Sequence, residues 1–353
     1  MIYLVLPMIL SALAFGNGWV QNLKLPKGFT VIKVIEVPGA RQMAISPKGN
    51  LFVGTMDEGK VYSISPEGKV STLFTGLNMP QGVLWHENEL YVSEIQRVAK
   101  VIDLDKKPQL KTIREFPDKK WHGWKTLGKG PDGKLYVPVG APCNVCDEKL
   151  PFMSLHRMDF DGKNFETIAQ GIRNTVGFTW HPETKKLFFT EMGRDQMGDD
   201  TPPDEINVIQ EKSPHFGFPY VHGKNIPDPK FHSLLPKSLK LTTPLHEIQA
   251  HSAPIGIAFF PKAKYPKEFH DCFLVAEHGS WNRSIKSGYQ VMKGCLRNDQ
   301  VESYEPFITG FKEGQKALAR PVHFLFLEDG SFYLSEDEPG TILHIQFSPE
   351  KFL

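Results

Sequence analysis

The sequence predicts an all-β fold, a six-bladed β-propeller whose ring is closed by its N- and C-terminal strands. Three observations carry this expectation. A short pattern of apolar stretch, polar turn and apolar-aromatic strand occurs six times along the 353 residues. The copies follow one another at intervals near the length of a propeller blade. No part of the chain supplies the alternating long amphipathic helices that a βαβ fold would need.

In order, the copies are MAISPKGNLFVGT from Met43, VLWHENELYVSE from Val83, LGKGPDGKLYVPVG from Leu127, FTWHPETKKLFFTE from Phe178, IAFFPKAKYPKEFHDCFLVAE from Ile257 and FLFLEDGSFYLSE from Phe324. Each reads as a hairpin, because Val, Ile, Leu, Phe and Tyr runs flank turn residues such as Pro131-Asp132-Gly133 or Glu328-Asp329-Gly330. Anchored on Leu51, Leu90, Leu135, Leu187, Phe273 and Phe332, the spacings are 39, 45, 52, 86 and 59 residues. The long ones imply insertions between the fourth and fifth copies and within the fifth. Residues 211–250 carry Pro214, Pro219, Pro227, Pro229, Pro236 and Pro244 and are expected to form a loop over one face. GFTVIKVIEV, from Gly28 to Val37, and TILHIQF, from Thr341 to Phe347, flank the repeats and are expected to share one blade, which leaves no long exposed edge. One domain, residues 25–353, follows from this reading; an open sandwich of similar hairpins is the competing architecture.

Composition narrows the function. With 41 Lys plus Arg against 40 Asp plus Glu, the net charge of +1 lacks the basic excess of a nucleic-acid-binding domain. MIYLVLPMILSALAF is apolar, too short to span a bilayer, and offers Ala12-Leu13-Ala14 as a cleavage pattern, so residues 1–14 are expected to be a signal peptide. An uncleaved anchor is the alternative, since this stretch has no Lys or Arg. No span is expected after cleavage, and the location is expected to be periplasmic or secreted. In an oxidising compartment four cysteines favour disulfides. Cys143 and Cys146 form a CNVC pair suited to a local bridge. Cys272 and Cys295 lie symmetrically about a loop centred near residue 283, so they should face each other in an antiparallel pair.

Propellers bind small molecules at one end of the central channel, where the inner strands and their loops converge. The polar residues just before each first strand are therefore the candidates: Gln81, His122, Arg173 with Asn174, His251 with Ser252, and Arg320. Asp195, Asp199, Asp200, Asp204 and Glu205 form the densest acidic run, of the hard-oxygen type that Ca²⁺ prefers. Gln81 by itself, and the acidic run, also read as ordinary loop residues.

The strings RNTVGFTWHP, TEMGRDQMGDDTPPDEINVI, HFGFPYVHG, AHSAPIGIAFF, EHGSWNRSIKSGY and ARPVHF resemble the soluble pyrroloquinoline quinone (PQQ)-dependent sugar dehydrogenases, glucose/sorbosone dehydrogenase type. The resemblance runs from about Met79 to the C-terminus. It implies a six-bladed propeller holding PQQ and Ca²⁺ on its axis and oxidising aldoses to lactones, or sugar aldehydes to acids. It further implies that His122 is the catalytic base and that Arg173 and Asn174 meet quinone and substrate. The backbone carbonyls of Gly193 and Arg194 would hold the Ca²⁺. Lys125 stands where the closer relatives have Arg. Because the quinone brings three carboxylates, Arg173, Arg283 and Arg320 are the cationic candidates to face it, with Gln81 also counted among the cofactor contacts. The electron acceptor, a cytochrome or a quinone, is open. The competing functions are a Ca²⁺-dependent sugar-lactone hydrolase and a non-catalytic propeller that binds glycans or proteins.

Overall fold

The computed structural model describes residues 18–352. The expected signal peptide lies outside the described residues. Six four-stranded antiparallel sheets follow one another around an axis. Blade one contains Met43–Ile45, Leu51–Val53, Val61–Ile64 and Val70–Phe74; blade two Val83–His86, Glu89–Glu94, Arg97–Ile102 and Gln109–Glu115. Blade three contains Gly128–Lys129, Leu135–Val139, Ser154–Met158 and Glu166–Gln170; blade four Phe178–Trp180, Leu187–Glu191, Asp204–Ile209 and His246–Ile248. Blade five contains Pro254–Phe259, Cys272–Glu277, Gln290–Arg297 and Gln300–Ile308; blade six Pro321–Phe326, Phe332–Glu336, Thr341–Phe347 and, as its outer strand, Phe29–Glu36.

Each repeat supplies the first two strands of one blade. The second strands read as continuous apolar runs because both of their faces are covered by neighbouring sheets. Leu51–Val53, Leu135–Val139, Leu187–Glu191 and Cys272–Glu277 are buried at every residue. The outer strand Gln109–Glu115 faces solvent at its edge and is mostly polar, with Leu110 and Ile113 its apolar residues. The core is accordingly a ring of inter-blade clusters. Phe52 stacks on Trp85 between blades one and two, and Phe188, Phe259 and Phe273 meet between four and five.

The terminal strands close the ring as expected. Phe29–Glu36 pairs antiparallel with Thr341–Phe347, from Phe29 opposite Phe347 to Glu36 opposite Thr341. Cys272 lies directly opposite Cys295 and is bonded to it, and Cys143 is bonded to Cys146.

The insertion differs in one respect. Residues 246–248, placed in the 211–250 loop by their proline-rich surroundings, instead pair with Asp204–Ile206 and complete blade four. A strand this short leaves no alternation to detect in the sequence. The remainder carries a small hairpin, Val221–His222 with Ile226–Pro227, and a helical turn at His232–Leu234. Among the described residues no helix is long and apolar enough to cross a membrane.

Candidate active site

The segment entering each first strand and the loop leaving each second strand reach the same end of the ring. Side chains from all but one of the blades converge there on a cavity of about 270 Å³. Arg41, His122, Arg173, Asn174, His251 and Arg320 come from the entering segments, and Gly193, Asp195, His278 and Trp281 from the leaving loops. Val176, Ile255 and Val322, with Trp124 and Met192 packed on them, form an apolar patch beneath the polar groups.

His122 is held in one orientation and one tautomer. Its backbone is left-handed, with φ +48°, and Gly140 passes so close that a Cβ there would lie 2.6 Å from the His122 Cβ. Nδ1 faces the Ala141 carbonyl at 2.8 Å, and a carbonyl only accepts, so Nδ1 carries the proton. Nε2 faces the Trp121 indole N–H at 2.9 Å, and an indole only donates, so Nε2 carries the lone pair. Burial, reinforced by the Arg173 charge and opposed by the Ala141 bond, depresses the imidazole pKa well below its usual value. The ring is a neutral base.

Blade four supplies a wall in which protein groups satisfy one another. Arg173 is 3% exposed, and its guanidinium donates to Asn144 O, Asn144 Oδ1, Met192 O, Gly193 O and Asp195 Oδ2. Glu191 accepts from the backbone N–H groups of Arg173 and Asn174 and from the Thr175 hydroxyl, fixing the segment from below. Asp204 accepts from Gly193 N–H and Ala253 N–H, each at 2.8 Å, tying two blades together. Burial pushes both carboxyls up to about 8, outweighing the hydrogen bonds that oppose it.

The opposite wall, from blades five, six and one, is cationic and less complete. Asp337 accepts from Arg41 at 2.5 Å and from His278 Nε2 at 2.8 Å. Burial alone would raise the Asp337 carboxyl, but His278 and Arg41 hold it well below the carboxylate range. Arg320 reaches His278 Nδ1 at 3.4 Å. Arg41 Nε and Trp124 Nε1 are buried donors without a hydrogen-bond acceptor, and Arg320 Nε has the exposed Glu338 carboxylate 2.9 Å away as its ion-pair partner. Unmatched donors of this kind around one cavity suit a ligand rich in carboxylate and carbonyl oxygens. The chemistry of PQQ fits this wall.

The calcium assignment does not fit the same way. Gly193 O accepts from the Arg173 guanidinium at 2.8 Å, so a cation already stands against one of its two lone pairs. The acidic run disperses: Asp195 pairs with Arg173, Asp199 and Asp200 hold Ser284 and Arg283, and Glu205 caps Gly223. Among the described residues no group of three His, Cys, Asp or Glu could hold a metal ion.

Two further expectations are corrected. Gln81 is not in the cavity wall; it lies 1% exposed, with its amide on Thr126 Oγ1 at 2.9 Å. Arg283 is spent on Asp199 O and Asp200 instead of facing the cavity, because the 278–289 loop folds over the 192–203 loop. Lys125 is buried between the carbonyls of Ile95 and Gly123, and burial lowers its pKa to about 7. Arg41, Asp337, His278 and Trp281 were not assigned roles from the sequence. Arg41 had a detectable signal, since it precedes the first repeat just as His122 and Arg320 precede theirs.

Fold and site together define a six-bladed β-propeller with a polar cavity on its axis. The Glucose / Sorbosone dehydrogenase profile matches residues 156–281, and a TrAA12-like profile matches residues 238–348. An uncharacterized protein of Borreliella burgdorferi is 32% identical over 350 residues, covering 93% of this chain and 91% of that one. The chain belongs to the glucose/sorbosone dehydrogenase family. In structure it is similar to a family AA12 carbohydrate-active enzyme of Trichoderma reesei solved with calcium, at TM-score 0.76 and 18% identity, covering 92% of this chain and 97% of that one. The holo PQQ domain of a pyranose dehydrogenase from Coprinopsis cinerea gives TM-score 0.73 at 16% identity, with 92% and 97% covered.

Proposed function

We propose that this protein is a PQQ-dependent dehydrogenase that oxidises an aldose or a sugar aldehyde at the axial cavity, with His122 as the general base. The observation that carries this reading is the neutral His122 imidazole, fixed with its lone pair on Nε2, in one cavity with the arginines Arg41 and Arg320, the first of which keeps a buried Nε donor without an acceptor. Oxidation of a carbinol removes a hydride from carbon and a proton from oxygen. The hydride leaves readily only as the proton is taken, so a base must reach the hydroxyl. Nε2 takes that proton, and Asn174, beside it in the cavity wall, orients the sugar.

Arg41 and Trp124 would hold the cofactor's carboxylates through their unmatched Nε and Nε1 donors, and Arg320 would add its charge, with the exposed Glu338 as the partner it exchanges. Bound there, PQQ supplies the quinone that receives the hydride. Arg173 positions the 192–195 loop and lowers the proton affinity of His122 without spending a donor on the ligand. The disulfides and the apolar leader favour an exported protein, periplasmic or secreted, whose final electron acceptor is a separate redox partner. Family membership favours this reading over the lactone-hydrolase alternative. Dye reduction by the purified chain with aldoses, with and without added PQQ, is the test; quinone-independent turnover would reject the proposal.

A further inference from the structure

We propose that Trp121 is a latch on the base: its indole N–H holds the Nε2 lone pair of His122 until a substrate hydroxyl displaces it. The proposal rests on the reading of His122 as the base. Nε2 is the atom that must take the substrate's proton, and it is already engaged by Trp121 Nε1 at 2.9 Å.

Two indoles stand at nearly right angles to the imidazole, Trp121 at 5.9 Å and 89° and Trp124 at 5.7 Å and 87° between ring centroids and planes. Their environments differ. Trp124 packs into the apolar patch beneath the cavity. Trp121 is 52% exposed, among the few large apolar side chains of the described residues that face solvent. Burial therefore does not explain Trp121, and its one polar atom is spent on the base.

Exposure is what allows release. When a sugar hydroxyl replaces the indole N–H at Nε2, the freed N–H is taken up by water, so the exchange leaves no buried donor unmatched. A buried indole would lose its only acceptor. The backbone need not move, because Lys119 N–H bonds Pro117 O and Gly123 N–H bonds Lys120 O on either side of the tryptophan. In the closed state the latch keeps the lone pair from other donors. Trp121 is a positioning residue, acting on the reaction through His122.

Displacement has a cost that substrate binding must supply. A hydrogen bond of ordinary net strength raises the apparent KM by about two- to tenfold and leaves kcat unchanged, since the latch is already open in the reacting complex. Trp121→Phe keeps the ring and removes the N–H. It is tested first without substrate, using diethyl pyrocarbonate, which modifies the unprotonated imidazole nitrogen, with His122 followed by peptide mass spectrometry. The variant is expected to be modified at His122 about two- to tenfold faster than the natural chain. In the PQQ-loaded protein it should lower the KM of the aldose oxidised by the same factor at constant kcat. Equal modification rates at His122 overturn the latch. His122→Gln, run in parallel, separates the two readings: turnover that survives in it rejects the base, whereas abolished turnover with equal modification rates rejects the latch alone.

Discussion

The two walls of the axial cavity are built on opposite principles. On the blade-four side Arg173 is saturated by five protein acceptors, and Asp204 and Glu191 by backbone N–H groups. On the side of blades five, six and one, Arg41 and His278 share one carboxylate, Asp337, while Arg41 Nε is left without an acceptor and Arg320 Nε has only the exposed Glu338 carboxylate beside it. A saturated wall fixes geometry; an unsaturated one is prepared for a ligand. The difference teaches that cavity-lining arginines in one molecule can have opposite tasks, and only their hydrogen-bond partners reveal which is which.

The largest expected effect is at the base. His122→Gln should lower kcat by about 10²–10⁴-fold with quinone affinity near that of the natural chain, measured by steady-state dye reduction. Arg173→Met and Arg320→Gln then separate the walls. The first leaves Asp195 and the Gly193 carbonyl without their buried partner, and should cost about 3–5 kcal/mol of stability in denaturant unfolding. The second should leave the unfolding midpoint in place and weaken PQQ binding about 10- to 100-fold, read by optical titration. A reversal of these two outcomes would break the comparison.

The smallest effect is in pH. Glu191 and Asp204 are raised to about 8, and Glu205 and, behind the other wall, Glu336 to about 7, so each takes up protons on folding. Their stabilisation is complete below the unfolded carboxylate range and is lost as pH rises through about 7 to 8. Lys125, lowered to about 7, acts in the other sense, its share being lost as pH falls through about 7. Four carboxyls against one lysine predict a melting temperature that declines from about pH 6.5 to 8.5. Asp337, depressed by His278 and Arg41, contributes stability that is lost only in strong acid.

The ring was legible in the sequence because the inner hairpins are buried on both faces and so keep continuous apolar runs between strong turn signals. Ring closure followed from the two apolar segments that flank the repeats, and the Cys272–Cys295 bridge from symmetry about a turn, which fixes register. The strand at 246–248 escaped because three residues among prolines show no period. In the site, position before a first strand pointed to His122, Arg173 and Arg320, all of which line the cavity. It failed for Gln81, whose side chain turns to the neighbouring blade, since position along a strand does not determine a rotamer. The pairing of Arg283 with Asp200 and of Arg173 with Gly193 depends on how separate loops fold over one another, which no local pattern encodes.

The central claim is that the axial cavity binds a quinone and uses it to oxidise a sugar. Optical titration of the purified full chain with PQQ, followed by addition of an aldose, tests it directly. The account predicts saturable quinone binding that is weakened in Arg320→Gln, and aldose-dependent reduction of the bound quinone that is lost in His122→Gln. Failure of the chain to bind PQQ, or equal reduction by the His122→Gln protein, would contradict it.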